Sequence, residues 1–169
     1  EKRIEGLHQL CGSRPAVFVA SFQNPSLYQY YTHENAFSVG SVYFRYTQFD
    51  LWQCDTLTQG KPAVIFAEVS KGQVIDIDGK QFIYVPTEHF QSANRIQIKL
   101  LHSEIQEDSV TFYINIHNNY NIPFDFNHPE FRANIYVAYL INHHLQYELC
   151  SNPEPAIIPP HGTIQHQVK

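Results

Sequence analysis

Ten histidines, sixteen acidic side chains and three cysteines are the groups in this 169-residue chain that could do chemistry. His117 and His128 flank a loop that also holds Asp125 and Glu130, and two imidazoles with a carboxylate could bind zinc or iron. The spacing is loose, and no H-E-x-x-H run sets two ligands on one helix face. His143 and His144 are neighbours, so in a strand they point to opposite faces and cannot easily share one ion. Ser21, Ser26, Ser38 and Ser41 lack the G-x-S-x-G setting of a nucleophile, and there is neither a P-loop nor a G-x-G-x-x-G turn. Asp76 and Asp78 flank a hairpin turn, which accounts fully for Asp78. Cys11, Cys54 and Cys150 are too few and too widely spaced for a disulfide framework or a zinc ribbon. Their expected role is that of small buried hydrophobes, with one bridge left open in an oxidising compartment. No metal and no cofactor is expected.

The densest unusual segment runs from Ser26 to Trp52. It carries Tyr28, Tyr30, Tyr31, Tyr43, Phe44, Tyr46, Phe49 and Trp52, interleaved with Arg45, Gln48 and Asp50. Packing of a core by these rings is the plain reading. A binding face is the sharper one, because aromatic rings stack on the C–H faces of sugars while Arg, Gln and Asp bond hydroxyls. Tyr28, Tyr31, Arg45, Gln48, Asp50 and Trp52 are the candidate binding residues. Arg45 and Asp50 could instead form a structural ion pair.

The elements that must position this segment follow from hydrophobic spacing. Ile4, Leu7, Leu10 and Cys11 share a helical face over 1–11, and Gly12 can end it. The continuous apolar runs 16–20 and 63–67 read as strands covered on both faces. Asn24 and Pro25 open a short helix over 25–33, in which Leu27, Tyr30 and Tyr31 recur. Residues 37–46 are β-rich. This order gives an α/β layer over 1–70. Beyond it, 74–77 and 80–85 form a hairpin with a type I′ turn at Asp78-Gly79. Alternating runs near 95–101, 110–116 and 134–140, with shorter ones to 168, suggest an antiparallel, immunoglobulin-like β-sandwich over 71–169. The fold class is thus α+β, a small α/β N-terminal layer packed on a β-sandwich. Lys+Arg 11 against Asp+Glu 16 leaves a net charge of −5, the wrong sign for a nucleic-acid backbone. No apolar run approaches a membrane span.

The stretch Val17-Phe18-Val19-Ala20-Ser21-Phe22-Gln23-Asn24-Pro25-Ser26-Leu27-Tyr28-Gln29-Tyr30-Tyr31-Thr32 resembles a segment of large bacterial membrane glycosyltransferases. These belong to the superfamily of the protein O-mannosyltransferases and the aminoarabinose transferases of lipid A. The similarity continues through Ala36–Trp52 and Gly60-Lys61-Pro62-Ala63-Val64, and it departs at Gly40, where the family often has Asn. It implies the soluble periplasmic C-terminal region of a polytopic enzyme that moves a sugar from a polyprenyl phosphate. The family's catalytic acid lies in a periplasmic loop near the start of the membrane part. No residue of this chain inherits that role, so the chain by itself is expected to be non-catalytic. The implied partners are the membrane-embedded part of the same polypeptide and a glycan or lipid-linked sugar. The absence of Met and the helical start fit an excised domain.

The alternative is a free-standing secreted carbohydrate-binding or adhesion module; a small metal-dependent hydrolase is a third. The two apolar runs separate the first two readings. A plain sandwich would pair 16–20 with 63–67 antiparallel, whereas the transferase tail would pair them parallel beneath the helices.

Overall fold

The computed structural model describes residues 2–19, 21–40, 48–52, 54–67, 72–107, 109–141 and 144–169, without the side chains of residue 50 and of 139–148. The fold is α+β and rich in strands, most of them antiparallel. It divides into two compact units, Glu1–Asn94 and Arg95–Lys169.

The first unit is built on strands β1 (Ala16–Val19), β2 (Ala36–Val39), β3 (Ala63–Phe66), β4 (Gln73–Ile77) and β5 (Lys80–Thr87), in the spatial order β2-β1-β3-β5-β4. β1 runs parallel to both β2 and β3, with Val17 opposite Phe37 and Ile65. Parallel neighbours need a crossover, and helix α2 (Gln23–Thr32) supplies the one from β1 to β2. Helix α1 (Lys2–Cys11) packs beside α2. Alternation along the strands sends Ala16, Phe18, Ala36, Val64 and Phe66 to one face. There they form a core with Leu7 and Cys11 of α1 and Tyr28 of α2. Phe18 is its centre, stacked on Phe66 at 4.9 Å and tilted against Tyr28 at 6.2 Å. Val17, Phe37, Ala63 and Ile65 face the other way and are also buried. On that side Phe37 meets Phe90 edge-on. Strands covered on both faces explain why the runs at 16–20 and 63–67 are continuously apolar.

The sequence places the domain boundary near residue 70, but the structure moves it to 94/95. β5 pairs antiparallel with β3, Ala63 opposite Thr87 and Phe66 opposite Tyr84, so the hairpin completes the first sheet. Its turn has positive φ at Asp78 (53°) and Gly79 (71°), as a type I′ turn needs. Asp76 Oδ1 accepts the Gly79 N–H at 3.0 Å.

The second unit is antiparallel throughout its described strands. β6 (Ile96–Gln106), β7 (Ser109–Asn118) and β12 (Thr163–Val168) form one sheet in the order β12-β7-β6. β8 (Phe124–Asp125) pairs with β11 (Ile157–Ile158), and β9 (Ile135–Ile141) with β10 (His144–Ser151). Ile114, Ile116, Phe124, Phe126, Ile135, Ile158 and Val168 make the core. Asn118 is fully buried at the end of β7. Its side-chain amide donates to the carbonyls of Ile122 (2.9 Å), Ile158 (3.2 Å) and Pro159 (3.1 Å), and its Oδ1 accepts the Tyr120 N–H (2.9 Å).

His166 of β12 lies on the same face as Ile164 and Val168, and its Nε2 is 2.7 Å from Ser151 Oγ. Burial lowers its pKa from the ordinary 6.5. On acidification the unfolded chain therefore takes up this proton before the folded chain does. The stabilisation is complete above pH 6.5 and is lost as the pH falls through the lower folded value. The thermal midpoint should drop across that window, and His166→Gln should flatten the drop. Identical profiles for the two proteins would exclude His166 as the responsible group.

Candidate functional site

Side chains of the candidate segment are held by two helices that both rest on β2, the edge strand of the first sheet. α2 opens at Phe22, with Ser26 Oγ donating to the Phe22 carbonyl at 2.8 Å. Pro25 lies in the first turn, where its missing N–H costs nothing. His33 closes the helix in a left-handed conformation, its N–H bonded to the Gln29 carbonyl at 2.9 Å. Gln29 Nε2 donates to the Ala36 carbonyl at 2.7 Å and fixes the helix against β2. The second helix, α3 (Gln48–Leu51), leads towards the 3-10 turn Cys54–Leu57 and is anchored by the buried Phe49.

Tyr28 is a core residue and not part of a surface. It is fully buried, and its hydroxyl lies 3.4 Å from His8 Nδ1. Its pKa is raised first by burial, then by the neighbouring Cys11. Tyr31 is 49% exposed and Trp52 65% exposed. Gln48 is exposed at the start of α3. Arg45 and the side chain of Asp50 lie outside the described residues, as do Tyr43, Phe44 and Tyr46. The ring partner of Tyr31 is Tyr30 at 5.1 Å, and that of Trp52 is Phe49 at 6.2 Å.

The apolar spacing of Leu27, Tyr30 and Tyr31 locates the helix correctly, but these residues do not face the core. α2 buries Pro25 and Tyr28 instead, and Leu27, Tyr30 and Tyr31 project outward. Leu51, Trp52 and Leu57 are likewise exposed beside α3. Leu27, Tyr30, Leu51 and Leu57 thus join Tyr31 and Trp52 as exposed apolar side chains. The feature that could have revealed this is Tyr28 with Pro25, which at i and i+3 make a buried stripe of their own on the same helix.

Among the described residues no group of three His, Cys, Asp or Glu side chains could hold a metal ion. His117 Nδ1 pairs with Thr163 Oγ1, and His128 Nδ1 accepts two backbone N–H groups within its own turn. The cysteines are unbridged, and only Cys11 is buried; Cys54 is half-buried and Cys150 exposed. Among the described residues no helix is long and apolar enough to cross a membrane.

No protein-family model, curated protein or solved structure matches this chain.

Proposed function

We propose that this chain is an extramembrane, non-catalytic domain of an integral-membrane glycosyltransferase that uses a polyprenyl-phosphate-linked sugar, acting at the periplasmic face. In this reading residues 95–169 form an immunoglobulin-like β-sandwich tail. The observation that carries the reading is the parallel pairing of β1 with β3 on a sheet whose core is closed by α1 and α2. A free-standing binding sandwich would pair those runs antiparallel. The exposed Leu27, Tyr30, Tyr31, Leu51 and Trp52 add a second support. Tyr and Trp suit a boundary where one end of the ring is apolar and the other wet. Their role is to dock the domain against the membrane-embedded part and so position the acceptor.

An antibody raised against the chain tests this. In cells that make it, the antibody should detect a carbonate-resistant membrane protein larger than 19.6 kDa. In that protein Tyr31→Ser with Trp52→Ser should lower sugar transfer roughly tenfold, since buried aromatic anchors carry most docking energy. A secreted or carbonate-extractable species of the chain's own mass would overturn the reading.

A further inference from the structure

β6 is the outer strand of its three-stranded sheet, and among the described residues only β7 pairs with it, along one of its two edges. It is eleven residues long and exposed along nearly its whole length. A free edge of that length is a template for another strand. The bulge between Leu100 and His102 shifts the register by one residue. Pairing with β7 puts Ile98, Leu100 and Ile105 on the core side, opposite Ile116, Ile114 and Val110. Lys99 and Glu104 lie opposite Asn115 and Thr111, on the other side. Ile98, Leu100 and Ile105 are nevertheless 53%, 55% and 82% exposed, so an apolar stripe runs uncovered beside a free edge.

The geometry points to a second copy of this chain as the occupant, with the two β6 strands paired antiparallel about a two-fold axis. A two-fold pairing must put like faces together on both sides of the bulge. The register that sets Ile98 opposite the mate's Ile105 does so, and it sets Lys99 opposite the mate's Glu104. Symmetry repeats both pairs. A register shifted by one residue pair in either direction loses both the Ile–Ile and the Lys–Glu matches. Lysine on an edge normally blunts strand addition; here each lysine finds a carboxylate. Among the described residues Lys99 has no ion pair of its own. Glu104 receives the Tyr113 hydroxyl at 3.1 Å and remains half-exposed. The two three-stranded sheets would join into one, with the isoleucine stripe continuous across the axis. This inference does not depend on the glycosyltransferase reading.

Analytical ultracentrifugation of the full chain from micromolar to near-millimolar concentration is the test. The wild type should sediment towards twice 19.6 kDa as concentration rises. Lys99→Glu and Glu104→Lys should each weaken the dimer at least about tenfold, because each replaces two attractive cross-strand pairs with two repulsive ones. The double reversal should restore wild-type association. A thermal melt of each variant checks that it folds. Should Glu104→Lys fail to fold, Lys99→Glu is compared with Lys99→Gln, which should weaken the dimer less. A wild type that stays monomeric throughout overturns the proposal. So does a dimer indifferent to Lys99→Glu, or single variants that the double reversal fails to rescue.

Discussion

Asn118→Ala is expected to destabilise the second unit by about 3 kcal/mol or more, a large share of what holds a small domain together. The fully buried side chain joins three backbone carbonyls and one N–H, from segments as far apart in sequence as Tyr120 and Pro159. Alanine would strand the buried Tyr120 N–H and take the amide donor from the Ile122 and Ile158 carbonyls, while the Pro159 carbonyl keeps the Gly162 N–H; a stranded buried polar group costs about 1–3 kcal/mol. Asn118→Asp should do no better, because it keeps the acceptor for Tyr120 but turns a carboxylate oxygen towards the three carbonyls. Urea unfolding followed by circular dichroism gives the total change. Hydrogen exchange read by mass spectrometry should place it in residues 95–169 and leave 1–94 protected. Uniform loss of protection, or less than about 1 kcal/mol in total, would contradict this account of the turn.

Phe18→Ala is expected to cost the first unit about 3–5 kcal/mol. The ring is 2% exposed and lies between Phe66 and Tyr28, so its loss removes contacts with the sheet and with α2 together. Neighbouring strands covered on both faces have little room to collapse into the void. Exchange should rise in α2, β1 and β3 while the second unit keeps its protection. Phe18→Leu should cost clearly less, because most of the volume stays. Equal losses for Leu and Ala would mean that the ring stacking, not the filled volume, stabilises this core.

Much of the first sheet was legible because its signals are local. Continuous apolar runs at 16–20 and 63–67 mark strands with no solvent face, and Asp78-Gly79 marks its turn by backbone preference alone. The domain boundary was not legible. That β5 joins β3 is a long-range pairing decided by which apolar face needs a neighbour, and no residue near position 70 encodes it. The candidate face was legible in part. Aromatic density drew attention to the segment 26–52, but it could not say which of its rings turn inward. Tyr28 and Tyr31 are three residues apart on one helix, and only the placement of α1 and the sheet decides that the first is core and the second surface. Asn118 read as part of a polar break for a similar reason: two of its four partners, the Ile158 and Pro159 carbonyls, come from a chain segment that only the fold brings near.

The buried Cys11 gives the first unit an internal clock. Desolvation pushes its thiol up to about 11, with Tyr28 and Arg14 only partly offsetting that rise. Near neutral pH almost no nucleophilic thiolate is present, and the reagent has no path to it while the helices stay seated. Cys150 stands exposed on the other unit. The delay between alkylation of Cys150 and alkylation of Cys11 therefore measures how often the helical cover lifts.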